Sequence, residues 1–126
     1  MRGSPLTIST MRDTKFRIWE IDKSSFQIIS FPHDMYKIID SNGNYPKGHF
    51  DEFTGLTDIE GVEIYEGDII KSVGNEEHNG MVGIFPIEFN SGMFSLSYQT
   101  IRLDYFLKYY AIEVIGNIHQ NPELLK

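Results

Sequence analysis

The chain has no cysteine, which excludes disulfides, cysteine-ligated zinc and thiol chemistry together. It has no apolar run near the roughly 20 residues that a membrane-crossing helix requires. Basic residues are few, 11 Lys and Arg against 18 Asp and Glu, for a formal charge of −7 and a pI near 4.9. A phosphate-binding surface ordinarily shows clustered cations. Here the densest grouping is Arg12, Lys15, Arg17 and Lys23. The opening MRGSPLTIST lacks the long apolar segment of a secretion signal and precedes a second methionine, Met11. We read residues 1–10 as a leader or tag-like segment, and expect a soluble protein of the cytoplasm without membrane association.

What is present is apolar and aromatic. Of 126 residues, 40% are hydrophobic and 13% aromatic, too much for a disordered chain. A chain of this length hides roughly two-thirds of its unfolded surface, so a core forms without metal or disulfide support. We expect a mainly β, β-rich α+β protein. An N-terminal β-rich lobe at 11–52 and a C-terminal lobe at 53–126 would make one compact unit.

TKFRIWEI alternates, with Phe16 and Ile18 on one side and Arg17, Trp19 and Ile21 on the other. The polar DKSS then reverses the chain into FQIISF, which predicts a β-hairpin over 15–31. MYKII (35–39) is a candidate strand closed by the turn-rich DSNGN, where Gly43 takes positive φ without steric cost. NYPKGHFDE reads as loop with a short strand near Phe50. Asp68–Val73 reads as a strand, and Met81–Phe89 as a long one. Pro86 lacks a ladder donor, so it belongs at an edge or bulge. NSG (90–92) is a hairpin turn into MFSLSY. IRLDYFLKYY (101–110) fits a short helix with an apolar stripe of Leu103, Phe106, Leu107 and Tyr110, and fits a strand nearly as well. AIEVIGNI is strand-like. In NPELL, Asn121 stands as an N-cap with Pro122 at the first helical position.

TGLTDIEGVEIYEGDII, residues 54–70, holds Gly55, Gly61 and Gly67 with Asp58, Glu60, Glu63, Glu66 and Asp68, and no Lys or Arg. A hard cation needs several oxygens converging on one point. Glu63 and Glu66 instead flank the apolar Ile64 and Tyr65, and Asp58-Ile-Glu-Gly has the composition of a turn. We therefore read Gly55, Asp58, Gly61, Gly67 and Asp68 as a structural turn motif in which the aspartates accept backbone hydrogen bonds. D-S-N-G-N at 40–44 imitates the start of an EF-hand loop. Its sixth position is Tyr45 where glycine is needed and its twelfth is Asp51 where Glu is usual, so it too reads as a turn. The four histidines (33, 49, 78, 119) form no HxH or HExxH pair, and no nucleophile elbow occurs. No metal, cofactor or catalytic residue is expected.

Three stretches carry a resemblance: MRDTKFRIWE (11–20), FTGLTDIEGVEIYEGDIIK (53–71) and IEVIGNIHQNPELL (112–125). Together they resemble the YopX family of small proteins of bacteriophages and prophages in low-GC Gram-positive bacteria. The resemblance spans nearly everything after Met11, with 24–52 the variable part. It implies a phage or prophage accessory protein of a bacterial host, without known catalytic residues, and a β-rich fold with an SH3-like C-terminal half. GDIIKSV, GMVGIFPIEF, NSG and MFSLSY describe a meander that a small antiparallel barrel would close. Its start is also similar to KOW-type RNA-binding barrels, although Glu76 and Glu77 stand in a loop that is basic there. Tyr105, Phe106, Tyr109 and Tyr110 are a candidate subunit interface, because Tyr and Phe are enriched in such surfaces. The expected function is a non-enzymatic interaction module that self-associates as a homo-oligomer and binds a host or phage protein. The alternative is a nucleic-acid- or nucleotide-binding phage protein, in an anti-defence role, contacting its ligand through Arg12, Lys15 and Arg17.

Overall fold

The computed structural model describes residues 14–31, 34–37, 39–44, 48–73, 83–97 and 101–126. The leader segment, Arg12 and the Glu76–Glu77 loop lie outside these residues. The protein is mainly β and divides into two units, Met1–Glu52 and Phe53–Lys126.

In the first unit, β1 (Thr14–Glu20) and β2 (Ser25–Phe31) form the expected hairpin, in register from Thr14↔Phe31 to Glu20↔Ser25. Its loop closes through Lys23 and Ser24 N–H groups donating to the Glu20 carbonyl, with Ser24 at φ 50°. The first part of β3 (Gly48–Thr57) pairs on the other side of β1, from Phe16↔Glu52 to Glu20↔Gly48. The alternation places Ile18 and Ile29 in a small core with Phe16 and Ile39. β3 runs ten residues where a short strand was expected. Gly55 and the acids in it break the apolar alternation that advertises a strand. Where a strand was expected at 35–39, Met35–Lys37 is instead a single 3-10 turn, and residue 38 lies outside the described residues. Asp34 sets that turn. Its carboxylate accepts the Ser30 N–H at 3.0 Å, and its carbonyl accepts the Lys37 N–H at 3.0 Å. Gly48 is packed so tightly that a Cβ there would collide with the carbonyl of Trp19.

In the second unit the end of β3 pairs with β4 (Glu63–Tyr65) across a bulge between Phe53 and Thr57. Gly55, at φ 85°, occupies that bulge. β5 (Asp68–Val73), β6 (Gly83–Asn90), β7 (Met93–Leu96), β8 (Ile101–Arg102) and β9 (Ala111–Asn117) form one antiparallel sheet in the order β8-β7-β6-β5-β9. Four strands meander, one helical turn follows, and the last strand returns beside the first. Among the described residues β8 and β9 do not pair with each other, so the expected barrel is an open sheet. β6 and β7 are joined by a two-residue turn, Ser91 (φ 55°) and Gly92 (φ 80°). Positive φ at both positions suits the right-handed twist of the flanking strands.

Pro86 sits in an interior strand, not at an edge. Its carbonyl faces β7 and accepts the Ser97 N–H at 2.9 Å, and the β6–β7 ladder begins one residue later at Ile87↔Leu96. Within a strand, a residue's nitrogen points the same way as its carbonyl. The missing donor therefore falls where the ladder ends. Ile64, Ile70, Phe85, Ile87, Leu96, Leu103, Phe106 and Ile112 make the core of this unit. Each such side chain, fully buried, contributes about 1.5–3 kcal/mol. Residues 101–110 divide between the two readings of them, β8 and then α1 (Leu103–Phe106).

Candidate functional site

In the acidic stretch 54–70 the two aspartates direct their carboxylates at the backbone. Asp58 is 7% exposed. Its Oδ1 accepts the N–H groups of Glu60 (2.8 Å) and Val62 (2.9 Å), and its Oδ2 accepts the Val114 N–H at 2.9 Å. Its own N–H donates to the Val62 carbonyl, and Gly61, at φ 82°, donates to the Asp58 carbonyl. Asp68, buried at the start of β5, accepts the Tyr65 N–H at 2.7 Å. Gly67, at φ 85°, donates to Ile87 and its carbonyl accepts from Ile118, joining the β4–β5 corner to two other elements. Among the described residues no three His, Asp or Glu side chains converge as a cation would require.

Asp40-Ser-Asn-Gly-Asn repeats the Asp58 geometry. Asp40 Oδ1 accepts the Asn42 (2.8 Å) and Asn44 (2.9 Å) N–H groups, Asp40 N–H donates to Asn44, and Gly43 N–H donates to the Asp40 carbonyl. The hydrogen bonds from Asn44 and then Asn42 hold the Asp40 carboxyl below its ordinary 3.8. This is a carboxylate used by its own loop.

The four candidate interface aromatics separate into two pairs. Phe106 is 1% exposed and stacks on Tyr110 at 4.4 Å, so it belongs to the core. Tyr105 and Tyr109 are 55% and 38% exposed, with rings 5.1 Å apart. Tyr105 lies in α1 and Tyr109 three residues past its end, and their ring contact sets the two on a common exposed side, whereas Leu103 and Phe106 are buried. At the start of that turn the exposed Arg102 guanidinium grips Asp104 through Nε (3.1 Å) and Nη2 (2.7 Å). Desolvation acts to raise the Asp104 carboxyl. The Arg102 hydrogen bond, the Tyr105 N–H and the Arg102 charge outweigh it and hold the group below 3.8.

This pair borders a cleft of about 320 Å³ floored by Leu56, Phe94 and Leu103, with Thr54 and Met93 beside them. β8 reaches only Ser95 and Leu96 of β7, so Met93 and Phe94 lie beyond its end. Sequence reasoning missed this cleft. Its only linear trace is the R-x-D spacing at 102–104, which looks like an ordinary surface pair.

Of the basic grouping, only Lys15, Arg17 and Lys23 fall within the described residues. Arg12 lies outside the described residues. Arg17 is 8% exposed, donates from Nε to Asp51 at 3.1 Å and lies 4.4 Å over the Phe26 ring. It is a structural ion pair. Lys15 is half-buried on the same strand. At the C-terminus, Asn121 makes no side-chain cap for the Pro122–Leu125 turn. Its Oδ1 accepts the Asn117 N–H at 3.2 Å instead, so the expected N-cap reaches back to the preceding strand.

The described parts of the three motif-bearing stretches thus sit in β1, in β3 to β5 with their corners, and in β9 with its terminal turn. A family model described as YopX protein matches residues 13–126. The chain belongs to the YopX family. A curated relative is the SPbeta prophage-derived uncharacterized protein YopX of Bacillus subtilis (strain 168). It is 31% identical over 74 residues, covering 54% of this chain and 54% of that protein. The chain spans about half the length of that YopX relative. Among solved structures, the crystal structure of protein EF1440 from Enterococcus faecalis is similar with a TM-score of 0.62 and 26% identity. That likeness covers 90% of this chain and 98% of the other. No helix among the described residues is long and apolar enough to cross a membrane.

Proposed function

We propose that this YopX-family chain is a non-enzymatic accessory protein of a phage or prophage. In this reading it is an interaction module of the host cytoplasm that self-associates and engages a host or phage protein. The prophage origin of the Bacillus relative supports the setting. The meander with a fifth strand returning beside the first, after a helical turn, supports reading the second unit as SH3-like. The observation that carries the proposal is the exposed Tyr105–Tyr109 pair, held outward on a turn whose opposite side is anchored in the core. Aromatic pairs presented on a rigid base are typical anchors of protein interfaces.

Light scattering across a concentration series tests this. The wild type is expected to form a defined oligomer, and Tyr105→Ser with Tyr109→Ser to shift it toward the monomer with little change in stability, within about 0.5 kcal/mol. A wild type that stays monomeric throughout overturns self-association. The alternative, nucleic-acid or nucleotide binding, loses much of its footing because Arg17 is committed to Asp51 and Phe26. Filter binding against salt separates the two. Tight binding with a steep salt slope would favour the alternative over the interaction module.

A further inference from the structure

The chain holds two Asn-Gly pairs, Asn42-Gly43 and Asn79-Gly80, and the first lies within the described residues. At such a pair an asparagine side chain closes readily on its own backbone, because glycine has no Cβ to hinder the approach of its nitrogen. The surroundings leave room as well. Residues 41–44 are exposed, and nothing stands within 4 Å of where a Cβ on Gly43 would lie. What opposes closure is the Asp40 turn. The Gly43 N–H, whose nitrogen would be the nucleophile, donates to the Asp40 carbonyl at 3.0 Å. The Asn42 and Asn44 N–H groups on either side are fixed on Asp40 Oδ1 at 2.8 and 2.9 Å, and the Asp40 N–H donates to the Asn44 carbonyl. A nitrogen whose proton is held by a carbonyl resists losing it. In the matching turn at Asp58 the place of Asn42 is taken by Glu60, whose carboxylate is a poor electrophile, so the chemistry belongs to the 40–44 turn.

We propose that Asn42 is a site of spontaneous modification and that the Asp40 turn is its guard. When the turn opens, the Gly43 nitrogen loses its proton and attacks Asn42 Cγ. The N–Cγ bond forms, the Cγ–Nδ2 bond breaks, and the side-chain nitrogen leaves as ammonia, giving a cyclic imide. Water then adds to one of the two imide carbonyls. Cleavage of the N–Cγ bond leaves aspartate at position 42, and cleavage at the backbone carbonyl leaves isoaspartate. One water is consumed and one ammonia released. Either product places a second carboxylate beside Asp40. The isoaspartyl form also adds a methylene to the main chain between the two N–H groups that Asp40 Oδ1 accepts, so the turn no longer closes as before. Ile39, next to Asp40 in the chain, packs on the Ile18–Ile29 core. The change therefore loosens the first unit and is not reversed by refolding. This inference does not rest on the function proposed above.

Mass spectrometry of the peptide containing Asn42 follows the conversion in mildly alkaline buffer, with fragmentation to separate it from any change at Asn79. The folded wild type should convert at least about tenfold more slowly than the same chain unfolded in urea, because reaction waits on opening of the turn. Asp40→Ala, which removes the acceptor of two N–H groups, should approach the unfolded rate. Asp40→Asn keeps an oxygen for both groups and should stay near the wild-type rate at position 42. Equal rates in folded and unfolded wild type would overturn the guard, as would an unchanged rate in Asp40→Ala. Failure of Asn42 to convert even in the unfolded chain would overturn the site. If Asp40→Ala fails to melt cooperatively, Asp40→Asn decides: conversion at the unfolded rate in a variant that still melts cooperatively overturns the proposal.

Discussion

Two aspartates show how far a short motif determines its own chemistry. Asp40 and Asp58 stand in the same D-x-x-G-x frame, and each folds its loop through bonds to the N–H groups two and four residues on. They differ in the second oxygen, which for Asp58 reaches Val114 in β9. Asp40 supplies a pH prediction. Its folded pKa is depressed, so its contribution is complete above the unfolded value and is lost as pH falls through the folded one. An NMR titration should find its carboxyl ionising below 3.8, with the Asn42 and Asn44 amides exchanging faster only once the pH is below that point. A midpoint at or above 3.8 would contradict the hydrogen-bonded loop. The local frame was legible in the sequence, because Asp and Gly at that spacing carry the turn between them. The reach to Val114 was not, because 56 residues separate the partners.

At the scale of elements, the segment 101–110 explains why two readings competed. Ile101 and Arg102 pair with β7, and the chain then turns into one helical turn, so neither period persists long enough to dominate. Its aromatics were legible as a group, but their division was not. Composition cannot say which side of a single turn meets the core. The division predicts a stability difference. Phe106→Ala should cost about 3–5 kcal/mol in denaturant unfolding, in contrast to the small effect expected of Tyr105→Ser. Equal effects would mean that the two rings are not on opposite sides of α1. The strands written in clear alternation or closed by Gly-containing turns, β1, β2, β5 to β7 and β9, were readable. β3 was hidden by its acids and Gly55, and Met35–Lys37 was misread because Asp34 diverts the backbone into a turn.

Across the whole molecule the two units carry unequal cores, eight buried residues around Ile70 in the second and Ile18 with Ile29 in the first. Burial density sets local opening free energies. Amides of β5, flanked by β6 and β9, should therefore exchange at least about tenfold more slowly than those of β2, an outer strand of its sheet. Native-state hydrogen exchange measures this directly, and uniform protection across both units would contradict it. Charge and composition indicated a folded, acidic, β-rich chain, and the three motif stretches indicated the family that the comparison then showed. The open sheet was not legible, since closure depends on whether the two outer strands, β8 and β9, meet. The hydrogen bonds from the Asp58 turn to β9 depend likewise on a contact between segments distant in sequence.

Gly48 carries a consequence for how this lineage can change. The Trp19 carbonyl fills the space that any side chain at position 48 would need, so the end of the β1–β3 pairing tolerates only a hydrogen there. The bare α-carbon itself can be given up only by re-siting one of the two strands.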